Sequence, residues 1–309
     1  MKIFSRNYCA VFGSIFLILV TGLIIGSIYD LQISLSIANQ NSIFGMICAS
    51  FGETFGWGMM AVFGTMAFRI AKKADKMVFK ILLIAFGCLV IGVSFYLIFA
   101  DMNSSHNGFK EISNLPLRLI LSAVIVGVIS FASYKIINTE DTKLLLCAWI
   151  ILMIAYYIPL AINFITKSIV MRPRFRLISS GYETYSVFDL FEPWYKAGTG
   201  IAQEVYPSNI INSDDFKSFP SGHSFVSMSS VLLSYLPLLN KRLKNEKWAM
   251  PLFLGVAALY GFTIEFARIL YGAHYLSDTT FGGLLAVIFA FSIPFAGFKV
   301  VEKKKWCLL

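Results

Sequence analysis

The chain has 309 residues, 57% of them hydrophobic and 14% charged, with a mean hydropathy of +0.72 and a formal net charge of +9. This composition excludes an ordinary water-soluble domain, because so many near-continuous apolar runs cannot all be hidden in one small core. The positive charge requires no nucleic acid, since a basic rim facing anionic lipid headgroups accounts for it.

Apolar runs near the ~20 residues that cross a bilayer as a helix occur at about 10–29, 43–68, 78–99, 116–137, 145–166, 223–240, 248–267 and 277–299. They predict an all-α, polytopic membrane protein with about eight transmembrane helices. The first run has a basic start, is long and lacks a small-residue cleavage site, so it reads as an uncleaved span rather than a signal peptide. Short polar turns at 71–76, 138–143 and 239–247 separate spans, and 101–115 forms a slightly longer loop. Residues 167–222 are the one sizeable piece outside the membrane, rich in Tyr, Phe, Ser and Asp. A segment of that length is expected to be a lid, a substrate-selecting cap or a plain connector.

Seventeen of the twenty-six Lys and Arg fall before span one, in the turns after spans two, four and six, and at the end of the chain. That face is expected to be cytoplasmic, with both termini inside, most simply at the plasma membrane. The five cysteines (Cys9, Cys48, Cys88, Cys147 and Cys307) show neither close pairing nor metal-ligand spacing and read as small apolar residues. Cys307-Leu-Leu at the end is one residue short of a prenylation box.

Three stretches place phosphate-handling residues at span edges. In the first, Lys167 and Arg174 are seven residues apart, two turns on one face if helical, so both can reach one anion. Snorkelling of basic residues at the membrane interface remains an alternative. In the second, Pro220-Ser221-Gly222-His223 opens span six, where backbone N–H groups favour an anion and Gly222 admits a close approach. Ser221 can bind that anion or merely cap the helix. In the third, Arg268 precedes His274 by six residues, and Asp278 follows His274 at i+4. A helical start to span eight would let the carboxylate hold one imidazole nitrogen and expose the other as a nucleophile. The pair can also be a helix cap. Starting from an inside N-terminus, all three stretches fall on the outer face. Glu53 and Glu265 are ionisable residues in or near apolar spans, which implies partners or a cavity. Glu265 is expected to orient Arg268, and for Glu53 only an interfacial position or an interhelical hydrogen bond offers itself.

Together these stretches resemble the signature of the type 2 phosphatidic acid phosphatase superfamily, which runs Lys-x6-Arg-Pro, Pro-Ser-Gly-His and Ser-Arg-x5-His-x3-Asp. The resemblance covers about residues 150–299. It implies a six-helix core at 77–309 with the outer loop 167–222, preceded by two extra helices in 1–76. It further implies that His274 attacks phosphorus to form a phosphohistidine, Asp278 orients it and His223 protonates the leaving group. Lys167, Arg174, Ser221, Gly222 and Arg268 would hold the phosphate oxygens. No metal or other cofactor is implied. Two positions depart from the pattern: Phe175 stands where Pro is expected after Arg174, and Ala267 where Ser is expected before Arg268. Neither replaced residue is charged or nucleophilic, so altered loop geometry is the expected consequence. Arg172 and Arg176 compete with Arg174, and the spacing from Lys167 favours Arg174.

The expected activity is therefore hydrolysis of a lipid phosphate at the extracytoplasmic face. Isoprenyl pyrophosphates such as the undecaprenyl carrier, phosphatidic acid and phosphatidylglycerophosphate are candidate substrates. A lipid phosphotransferase would use the same residues with another acceptor. A silent scaffold or transporter is a third reading, disfavoured because His223, Arg268 and His274 are all present. The family's haloperoxidase relatives share the oxyanion pocket, but the spans argue against that activity.

Overall fold

The computed structural model describes residues 4–102, 114–206 and 213–304, and among them it is all-helical with no strand. Eight helical spans are long and apolar enough to cross a membrane. The chain is an integral membrane protein. The long helices are α1 (Arg6–Ile37), α2 (Ile43–Phe51), α3 (Thr54–Ala71), α4 (Met77–Met102), α5 (Leu115–Ile136), α6 (Thr142–Val170), α7 (Gly222–Met228), α8 (Ala249–Leu270) and α9 (Leu276–Lys304). Helices α2 and α3 together form span two. Most of the 101–115 loop expected from the sequence lies outside the described residues, as do His106 and Cys307.

The helix starts follow from their caps. Ser5, Ser42, Asn114 and Asp141 each accept a bond from the backbone N–H three residues on, satisfying a donor that the helix leaves orphaned. Span six differs from the plain α-helix expected at 223–240. After α7 it continues as a 3₁₀ coil over Ser229–Leu239. A 3₁₀ coil rises about 2.0 Å per residue against 1.5 Å in an α-helix. A short span of 18 residues thereby reaches the ~30 Å of a hydrocarbon core.

Spans two and six are the enclosed ones, with 72% and 89% of their apolar windows buried. Helix α3 packs against α4, α5, α6 and α7, while α1 lies along α8 and α9. The outer faces of α1, α4 and α5 expose large apolar side chains such as Leu17, Leu89 and Phe131, as lipid contact requires. Close approach in the interior depends on glycine. At Gly56 on α3, a Cβ would lie 2.0 Å from the carbonyl oxygen of Val226 in α7. At Gly26 on α1, a Cβ would lie 2.6 Å from the backbone nitrogen of Ser277 in α9. The first two spans thus abut the segments that carry the second and third motifs. Gly56→Ala is expected to destabilise the detergent-solubilised protein by about 1–3 kcal/mol through overpacking, seen as a lowered Tm.

The basic turns meet at one end of the bundle. Lys73 donates to the Thr139 carbonyl at 2.9 Å, and Lys241 pairs with Glu140 at 2.6 Å. Residues 171–206 form an ordered cap at the opposite end. Phe175, Ile178, Leu190, Ala202, Tyr206 and Phe216 share a small apolar core with Leu31 of α1 and Tyr275. Trp194 stacks on Phe219 and donates to Ser27 of α1 at 2.9 Å.

Candidate active site

The first motif begins on α6 and leaves it. The helix ends at Val170, Met171 takes the left-handed conformation (φ 50°), and Arg172–Arg174 run on as non-helical chain. Lys167 and Arg174 therefore do not share a helical face, as their spacing predicts. The turn instead folds Arg174 back until Lys167 and Arg174 lie within electrostatic reach of each other and of Arg268. Arg174 is held by Asp214, through its carbonyl at 2.9 Å and its carboxylate at 2.8 Å. Arg176 pairs with Asp215 at 3.0 Å.

Arg172 points the other way and is fully buried. It donates to the Glu192 carbonyl at 2.8 Å, to Ser277 at 2.9 Å, to Asp278 at 2.5 Å and to Asp30 at 3.0 Å. Asp30 also accepts from the backbone N–H of Ser277 at 2.9 Å and from its hydroxyl. Five residues from the first span, the cap and the last span are thereby locked together.

Ser221 caps α7, accepting from the Ser224 N–H at 3.3 Å and the Ser224 hydroxyl at 2.9 Å, which leaves its own hydrogen to donate elsewhere. A Cβ at Gly222 would sit 3.5 Å from the Lys167 ammonium, so that cation lies over the glycine backbone. Of the two departures from the family signature, Phe175 packs edge-to-face on Tyr275 at 6.2 Å, and Ala267 is buried with Cys48 and Ile264.

The third motif runs off the end of α8. Arg268 lies in its last turn, and the backbone N–H groups of Ala273 and His274 fold back onto the Arg268 carbonyl at 3.1 and 3.3 Å. Because α9 begins only at Leu276, His274 and Asp278 are not joined by a helical turn. Their closest approach is 3.9 Å, beyond a hydrogen bond. The nearer carboxylate oxygen of Asp278 accepts instead from the Ser218 hydroxyl at 2.5 Å and from the Tyr275 N–H at 2.9 Å. His274 Nδ1 is engaged by the Ser218 carbonyl at 2.6 Å. Ser218 thus stands between the two residues.

That carbonyl decides the tautomer. It can only accept, so the hydrogen of a neutral His274 sits on Nδ1 and the lone pair on Nε2. Nε2, together with Nε and Nη1 of Arg268, is buried without a protein hydrogen-bond partner among the described residues. Burial, and the positive charges of Arg174, Lys167 and Arg268, hold the His274 pKa well below its ordinary 6.5. A group bound to fewer protons when folded loses stability as pH falls. His274 should contribute fully above about pH 6.5 and progressively less below it. The Tm of the wild-type protein is therefore expected to drop more steeply below that pH than the Tm of His274→Gln.

Lys167, Arg174, Arg268, His223 and His274 lie within electrostatic reach of one another, with Gly222 beside the Lys167 ammonium. The model of the PAP2 superfamily matches residues 144–301, just over half of the chain and all three motifs. The chain belongs to the PAP2 superfamily. No curated protein and no solved structure matches it. Membership of the PAP2 superfamily implies phosphate-ester hydrolysis on lipid-type phosphates.

Two residues carry more, or other, contacts than the sequence announces. Glu53 caps α3 beside His223, with its carboxylate 3.0 Å from Nδ1, and Asp101 lies 3.5 Å from Nε2. The only advance signal was the cost of an acid in an apolar run. Glu265 does not orient Arg268; its carboxylate turns to α9, where a Cβ on Gly283 would lie 2.2 Å away. Glu53, Asp101 and His223 bring one ligand atom each within 4.8 Å of one another, a spacing that can hold a cation. Lys167 and Arg268 already bring positive charge to Glu53.

Proposed function

We propose that the chain hydrolyses a lipid phosphate at the extracytoplasmic face through a phosphohistidine on His274. The observation that carries this reading is the partnerless Nε2 of His274, whose Nδ1 is engaged by the Ser218 carbonyl and which lies within electrostatic reach of Arg174, Lys167 and Arg268. Lys167, Arg174 and Arg268 neutralise the phosphate oxygens, and the Ser221 hydroxyl and Gly222 backbone complete the cradle. His274 Nε2 displaces the leaving group in line, and His223 protonates that group. Water then releases phosphate from His274. Asp278 positions the nucleophile through Ser218 and the Tyr275 backbone. No residue in this scheme needs a metal. The basic turns gathered at the end opposite the cap support an outward-facing site with both termini inside. A membrane-embedded pocket suits an amphiphile whose tail stays in lipid, such as an isoprenyl pyrophosphate, phosphatidic acid or phosphatidylglycerophosphate.

The test is phosphate release by the purified protein in detergent with chelator present, across those three lipids. Release from at least one of them supports the reading and ranks the substrates. No release from any would overturn it.

A further inference from the structure

The two carboxylates that reach His223 come from spans two and three, outside the stretch matched by the family model. Glu53 presents Oε1 to Nδ1 at 3.0 Å, while its Oε2 accepts from the Trp57 indole at 2.7 Å, which fixes the carboxylate in place. On the other side of the ring, Nε2 faces the Ala49 carbonyl at 3.2 Å and Asp101 at 3.5 Å. A carbonyl only accepts, so Nε2 carries a hydrogen. Nδ1 and Oε1 cannot then meet at 3.0 Å as two bare lone pairs. A second proton shared between them, as imidazolium and carboxylate or as imidazole and carboxylic acid, would relieve that contact.

We propose that Glu53 is a positioning residue that keeps His223 loaded with the proton taken by the leaving group. The proposal rests on the hydrolase reading above. As the P–N bond to His274 forms, the P–O bond breaks and its electron pair goes to the leaving oxygen. That oxygen takes the Nε2 proton of His223, displacing the longer contacts to Ala49 and Asp101. The proton shared with Glu53 settles on Nδ1, leaving a neutral imidazole and a carboxylate. In the second half, water attacks phosphorus and returns a proton to Nε2, and the P–N electrons go back to His274. Three cations lie within electrostatic reach of His223 (Lys167 from α6, Arg174 from the following turn and Arg268 from α8), and so does His274. They oppose a protonated ring. Glu53 and Asp101 are the opposing negative charges.

The experiment compares two substrates with the same acyl tail, one an alkyl phosphate and one a nitrophenyl phosphate whose leaving group needs no proton. The full-length protein in detergent is assayed for kcat/KM on both. Glu53→Gln keeps the size and the Trp57 acceptor but cannot share the proton. It is expected to lower kcat/KM for the alkyl ester by about 100-fold or more, with a far smaller loss on the aryl ester. Equal losses on both, or an unchanged ratio, would overturn the proposal, since a merely structural residue affects both alike. The wild-type chain gives a second reading that needs no variant. Proton delivery should bring its two kcat/KM values close together, and a large preference for the aryl ester would overturn the proposal. A wild-type chain that cleaves neither ester would remove the hydrolase reading itself.

Discussion

His274→Ala is expected to release phosphate at least about a thousand-fold more slowly than the wild-type protein, the scale of loss when a nucleophile is removed. The substitution removes the partnerless Nε2 proposed as nucleophile, but leaves Lys167, Arg174 and Arg268, the proposed phosphate ligands. Substrate should therefore still bind, and the loss should fall on kcat rather than on KM. Rapid acid-free quenching of the wild-type protein with labelled substrate should trap a phosphoprotein that is stable to base and labile to acid. The variant should give none. Wild-type-like release by His274→Ala would exclude it as the nucleophile. His274→Gln, which keeps a polar group near the Ser218 carbonyl, should be as inactive, because neither side chain offers a nucleophilic lone pair on nitrogen.

The second large effect concerns folding. Arg172→Met is expected to cost about 3–5 kcal/mol, because it strands the buried carboxylates of Asp30 and Asp278 without their shared cation. Arg172→Lys should rescue little of this, since one ammonium cannot reproduce a fork bonded to Asp30, Asp278, Ser277 and the Glu192 carbonyl. Tm and folded yield in detergent measure the effect. Arg174→Met provides the contrast. Its guanidinium pairs with a partly exposed Asp214, so its removal should leave Tm within a few degrees while raising KM for the lipid phosphate. Reversed outcomes for the two arginines would mean that their assignments are interchanged.

Hydropathy alone was enough to read the eight spans, because a bilayer forces each one to be a near-continuous apolar run. The family was equally legible from the three motifs, which fall inside the matched residues 144–301. Geometry at span ends was not. The spacing of Lys167 and Arg174, and of His274 and Asp278, invites a helical reading, yet Met171 turns the chain before Arg174 and α9 starts after His274. Helix termini are set by caps and tertiary packing, which periodicity does not encode. Ser218 was invisible for the same reason, since it acts on His274 through its backbone carbonyl and that atom belongs to every residue type. Span six was located correctly but not its 3₁₀ coil, which its apolar pattern does not distinguish from an α-helix. Glu53 stood out only as an acid near an apolar run, Asp30 did not stand out at all, and their partners lie more than a hundred residues away.

The bonds from Asp30 to Arg172 and Ser277 also have a temporal meaning. Asp30 lies in α1, which is synthesised before the groups that satisfy it, Arg172 after α6 and Ser277 at the start of α9. During synthesis that carboxylate must wait for its last partner until α9 begins to emerge. A chain released before residue 277 would keep the bond of Asp30 to Arg172 but lack its bonds to Ser277. Fragments that stop short of Ser277 should therefore be more sensitive to protease than the full chain, because the first span is then fastened less firmly to the rest.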